Sequence, residues 1–131
     1  MKKIFSYGGY GFVCISVLSL AWVSAMAWYR PQSVMDLVQV TLNNTDALSS
    51  IRGVYGGVGF SVIAVLTYTM RRNLALALLF LSLFWLLYAL SRLVTIWVNG
   101  SLGSFGSNWL TIETTFGIIA LVLYLGNRKR S

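Results

Sequence analysis

The sequence predicts an all-α membrane protein built on four transmembrane helices, and three observations predict it. The 131 residues are 57% hydrophobic and only 10% charged, where a soluble domain carries about 25% charged residues. Four stretches are long and apolar enough to span a bilayer, which takes roughly 20 residues at 1.5 Å rise each: 10–29, 51–70, 74–98 and 108–126. The charges are also sorted. Lys2, Lys3, Arg71, Arg72, Arg128, Lys129 and Arg130 flank the spans on one side, while Arg30, Arg52 and Arg92 with Asp36, Asp46 and Glu113 fall on the other and sum to zero. The net charge of +7 therefore comes from one side. By the positive-inside rule that side is cytoplasmic, both termini face it, and loops 30–50 and 99–107 face outward.

Each element has local support. Lys2-Lys3, an apolar stretch and Ala25-Met26-Ala27 imitate a cleavable signal, but the reading taken is an uncleaved first helix. Arg30-Pro31 ends it, because proline disfavours helical geometry in the residue before it and can open a new helix. The following PQSVMDLVQVTL sets Val34, Leu37, Val38 and Leu42 near one face. Two readings of it stand: a short helix on the outer membrane surface, or an ordered loop. Asn43-Asn44-Thr45-Asp46 supplies turn and N-cap residues before the second span. The 99–107 loop, with its NGSLGSFGS run, is flexible by composition. Trp28, Tyr29, Trp97 and Trp109 would ring the outer interface, and Tyr7, Tyr10, Tyr68 and Tyr124 the inner one.

The same composition excludes much chemistry. There is no histidine and one cysteine, Cys14, read as an inert buried thiol. No Ser-His-Asp triad, Cys-His dyad or ordinary zinc site can be assembled, so no metal and no cofactor are expected. A pI near 10 is also a nucleic-acid signature, but here the basic residues flank spans in short clusters, so no nucleic-acid partner is expected.

What remains is a set of intramembrane charges. Arg52, Arg92 and Glu113 all fall in the outer layer of the predicted bundle. Leaving one of them unpaired in hydrocarbon costs at least about 2.5–3.5 kcal/mol. Glu113 is therefore expected to face Arg92, Arg52 or both. Ser82, Trp85, Tyr88, Arg92 and Thr95 follow a three-four spacing on span three, and Glu113, Gly117, Ala120 and Tyr124 follow it on span four. In span two, Gly53 and Gly57 form G-x-x-x-G and Gly56 adds a further small contact, a pattern that lets helix backbones approach closely. The expected polar cluster is Arg52, Tyr55, Tyr88, Arg92 and Glu113, ligand-binding or structural. The expected helix-packing residues are Gly53, Gly56, Gly57 and Gly117.

The segments SIRGVYGGVGF, SRLVTIWVNG and TIETTFG together resemble a family of small bacterial four-helix integral membrane proteins known only as a domain of unknown function. The resemblance rests on Arg52-Gly53 with Tyr55-Gly56-Gly57, on Arg92 and on Glu113. It implies a compact four-helix bundle and no activity. The functional expectation is a non-catalytic accessory or assembly subunit, or a self-associating bundle, in a bacterial inner membrane. Its partners would be membrane lipids and either further copies or a larger membrane protein. The alternative is a binding protein for a lipid, quinone-like or other amphiphilic molecule, with the arginines clamping an anionic head. A small oligomeric transporter is a further alternative.

Overall fold

The computed structural model describes residues 2–128, apart from the side chain of Lys2. Lys129 and Arg130 of the basic set lie outside the described residues. Among those described there are helices and no strands: α1 (Lys2–Tyr29), α2 (Pro31–Asp36), α3 (Thr45–Arg72), α4 (Leu74–Asn99) and α5 (Ser104–Asn127). Helices α1, α3, α4 and α5 are long and apolar enough to cross a membrane, and each contains one predicted span. Even α5, with 24 residues, measures about 36 Å, against about 30 Å of bilayer hydrocarbon. The chain is an all-α membrane protein, as its composition predicts.

Two compact units make up the chain: Met1–Val13 with Thr69–Ser131, and Cys14–Tyr68. In the second unit, α1 stops where predicted. Arg30 is extended (φ −138°, ψ 81°) and Pro31 occupies the first turn of α2. This short helix is not a surface float. Val34 and Met35 are buried against Ala27, with Met26, Leu42, Ile51 and Tyr55 around them. Leu37 and Val38, predicted on the same face as Val34, are instead about half exposed, because the helix has ended at Asp36. Gln32 pins the chain beyond it. Its Nε2 donates to Asp36 Oδ1 at 2.7 Å and to the Val40 carbonyl at 2.9 Å, and its Oε1 accepts from the Leu42 N–H at 2.8 Å. Asn44 then caps α3, its Oδ1 accepting from the Ala47 N–H at 2.7 Å.

One residue in this loop is strained. Gln39 has φ +58°, a left-handed conformation that costs an L-residue about 1–2 kcal/mol. Gln39→Gly removes that cost but loses roughly 0.5–1 kcal/mol to glycine's entropy. The expected result is tighter local closure by up to about 1.5 kcal/mol, read as slower amide hydrogen exchange over 37–43. Faster exchange would mean the glutamine side chain itself holds the loop.

The cysteine also departs from expectation. Phe12, Val13 and Ser16 are buried, whereas Cys14 is exposed. Successive helix residues turn by about 100°, so Cys14 stands off the buried face of α1.

In the first unit, α4 and α5 form an antiparallel hairpin. Gly100 closes α4 with φ +97°, a conformation that favours glycine, and α5 opens at Ser104. The loop predicted over 99–107 is therefore shorter, since helix claims its second half. On α4 the buried residues are Ala77, Leu78, Leu81, Ser82, Trp85 and Ala89; on α5 they are Glu113, Gly117 and Ala120. The beginning of α1 completes this unit, with Phe12 against Phe116 (ring centroids 5.4 Å apart) and Phe116 against Trp85 (5.4 Å).

Candidate functional site

The strongest polar feature is a buried ion pair across the α4–α5 hairpin. Arg92 Nε donates to Glu113 Oε2 at 2.6 Å, and Arg92 Nη2 donates to Glu113 Oε1 at 2.8 Å. The fork of the guanidinium matches the two carboxylate oxygens, so both bonds are charge-assisted and the relative orientation of the groups is fixed. The Glu113 side chain is 2% exposed and that of Arg92 21%. Hence the acid is inside the hairpin, while the arginine retains a partly accessible flank. Phe105 covers part of that flank, its ring centroid 6.0 Å from Arg92 Cζ, within the range of a cation–π attraction.

Local sequence explains why the pair can form. Gly117 lies one turn beyond Glu113, and a Cβ there would stand 2.6 Å from both Cγ and Cδ2 of Leu86 and 3.2 Å from its backbone nitrogen. Gly117 thus lets the α4 backbone come close enough for Arg92 to reach across. Ala120 continues the same small-residue stripe and is fully buried. Below the pair, Ser82 satisfies itself on the Leu79 carbonyl at 2.8 Å. The Trp85 indole N–H is buried with no hydrogen-bond partner among the described residues. Its ring packs edge-on to Phe84 (5.2 Å) and Phe116. Tyr88 is about half exposed and stacks at a tilt on Phe84, 5.1 Å away.

The other two members of the predicted cluster belong to the unit Cys14–Tyr68. Arg52 and Tyr55 lie in a π-helical turn, Arg52–Gly57, set within α3. Arg52 Nε donates to the Trp28 carbonyl at 3.1 Å. Because α1 ends at Tyr29, this carbonyl lacks an ordinary helical donor, and Arg52 supplies one. The Trp28 ring lies over Gly56 and against Phe60, with centroids 4.7 Å apart. Tyr55 packs against the cluster of Ala27, Val34 and Met35. So Arg52, Gly56 and Phe60 together grip the end of α1 at Trp28.

The packing assigned to the G-x-x-x-G pair needs correction. No atom of the described residues lies within 4 Å of where a Cβ on Gly53 or Gly57 would stand. The close approaches fall on Gly56, an expected packing residue, under Trp28, and on Gly59, which was not expected, against Ser24. The G-x-x-x-G rule assumes α-helical periodicity. In the π turn the Val58 N–H bonds back five residues, to the Gly53 carbonyl, so the face presented shifts. Phe105 escaped the sequence reading because it was assigned to a loop. It stands eight residues before Glu113, a spacing that keeps it near the same helix face.

No group of three or more His, Cys, Asp or Glu that could hold a metal ion occurs among the described residues. No curated protein and no solved structure matches the chain. The model of one family matches residues 10–124, a stretch that contains the π turn, the Arg92–Glu113 pair and the glycine beside it. The chain belongs to that family, described as Domain of unknown function (DUF4345).

Proposed function

We propose that the protein is a non-catalytic accessory or assembly subunit of a membrane, whose intramembrane charges hold its helices in register. The observation that carries this reading is the engagement of both Glu113 oxygens by Arg92. A carboxylate used in this way has little left to offer a substrate, and the chain has no histidine to replace it as a general base. Large apolar side chains such as Trp22, Trp97 and Leu87 are well exposed and suit contact with lipid or with a partner's helices. The charge asymmetry supports cytoplasmic termini, and a bacterial inner membrane is the setting that goes with this reading.

A second reading has its own observations. Trp85 carries a buried indole N–H with no hydrogen-bond partner among the described residues. Tyr88 and the partly exposed Arg92 lie on the same run of α4. An amphiphile with a carbonyl or anionic head would find donors there.

Native mass spectrometry of protein extracted gently from its own membranes separates the two. The subunit reading expects a companion protein or a defined homo-oligomer, with no stoichiometric small molecule that depends on Arg92. A monomer carrying one amphiphile that is lost in Arg92→Met would overturn it in favour of the binding protein.

A further inference from the structure

We infer that the basic end of the unit formed by Met1–Val13 and Thr69–Ser131 is a seat for a phospholipid headgroup carrying two phosphates. Three helix ends remote in sequence are built into it. Asn127 Nδ2 donates to the Phe5 carbonyl at 2.9 Å and to the Leu123 carbonyl at 2.8 Å, tying the end of α5 to the first turns of α1. Gly126 lies against the Phe5 ring. Gly9 has no side chain, so Leu74 Cδ2 and Leu78 Cδ1 come within 3.1 Å of its Cβ position and Asn127 Nδ2 within 3.3 Å. This brings in the start of α4. Asn73 alone separates α4 from α3, so Arg71 and Arg72 arrive at the same end.

The result is a concentration of positive charge. Lys3, Arg71, Arg72 and Arg128 are all exposed. None of the chain's three acids occurs in the segments 1–13, 69–79 or 118–128 that build this end. Helix dipoles do not cancel the charge. The N-termini of α1 and α4 contribute about +0.5 each, and the C-termini of α3 and α5 about −0.5 each. Four basic side chains therefore stand where these helix ends converge.

A partner for this surface must be anionic, bring more than one charge in a small space, and tolerate apolar neighbours. The apolar side chains beside it, Ile4, Tyr7, Leu76 and Leu125, are exposed, and acyl chains would lie along them. Arginine recognises phosphate through paired hydrogen bonds. A lipid with two phosphates on one short bridge satisfies all three conditions. One with a single phosphate satisfies only the first and last. The inference holds whether or not the protein proves to be an assembly subunit, because it involves neither Arg92 nor Glu113.

The test uses the purified full chain in detergent micelles, with native mass spectrometry counting retained lipid. Tetraoleoyl cardiolipin is titrated against dioleoyl phosphatidylglycerol at equal phosphate. The expected result is retention of one cardiolipin, preferred over phosphatidylglycerol and weakened by salt. Arg71→Gln/Arg72→Gln should lose about thirtyfold in apparent affinity, the effect of two cations beside an anionic lipid. Gly53→Ala, a change in the other unit with nothing packed on the new methyl group, should retain the lipid as wild type does. If the first double variant fails to fold, Lys3→Gln/Arg128→Gln reads the same loss from the other two helix ends. Equal retention of the two lipids at matched phosphate, or undiminished cardiolipin binding in a folded variant, would overturn the inference.

Discussion

Arg92→Met should destabilise the α4–α5 hairpin by about 3–5 kcal/mol, the cost of removing one partner of a buried pair. Methionine fills nearly the same length without a charge, so the loss reports the stranded carboxylate more than a cavity. Glu113 is 2% exposed and has no route to water short of opening the hairpin. Glu113→Leu should cost less. The guanidinium it strands is 21% exposed, and a long side chain can carry its head toward the interface. Reversible unfolding in mixed detergent micelles, followed by circular dichroism, measures both. Two variants as stable as wild type would show that the pair does not hold the hairpin together.

The second large effect falls on a residue with no polar atom in its side chain. Gly117→Ala would place a methyl group 2.6 Å from Leu86 Cγ and Cδ2 and 3.2 Å from the Leu86 backbone nitrogen. The leucine can rotate away in part, but the backbone cannot move without taking α4 with it. Overpacking of this kind costs about 1–3 kcal/mol, and here it also lengthens the reach required of Arg92. Adding Leu86→Ala removes the side-chain clash and should recover part of the loss. Gly53→Ala and Gly57→Ala form the contrast. No atom of the described residues lies within 4 Å of either new methyl group, so stability should be unchanged or rise by up to about 1 kcal/mol through helix propensity. The same unfolding assay ranks all of these. A destabilising Gly53→Ala or Gly57→Ala would mean that this stripe packs against something after all.

How much of this was legible in the sequence differs from element to element. The four spans were, because about 20 apolar residues in a row have few other meanings. The facing of Glu113 and Arg92 was legible too. A lone acid and a lone base at similar depth in apolar helices are each too costly to leave alone. The stripe Glu113, Gly117, Ala120 and Tyr124 followed from α-helical spacing; its first three residues are buried and Tyr124 is partly so. What failed depended on geometry that periodicity does not carry. At the π turn Arg52–Gly57 the expected packing holds at Gly56 but not at Gly53 and Gly57, and nothing in RGVYGG announces an extra residue in the turn. The role of Arg52 on the Trp28 carbonyl was also hidden, because an orphan carbonyl at a helix end is a backbone property. Segment 31–36 was ambiguous between surface helix and loop, since its apolar residues would suit lipid or protein equally well. The core of Ala27, Val34 and Met35 is a tertiary outcome. Cys14 was misjudged because an apolar neighbourhood in a membrane span does not say which face is turned to lipid.

The measurement that tests the central claim most directly is a double-mutant cycle on Arg92 and Glu113, with Arg92→Met, Glu113→Leu and the two combined, read as unfolding free energy in mixed micelles. If the pair is a structural clasp, the double variant recovers most of what either single change loses, with a coupling energy of at least about 3 kcal/mol. Losses that simply add, or single variants that unfold like wild type while a bound molecule disappears, would contradict it and move the pair from scaffold to binding site.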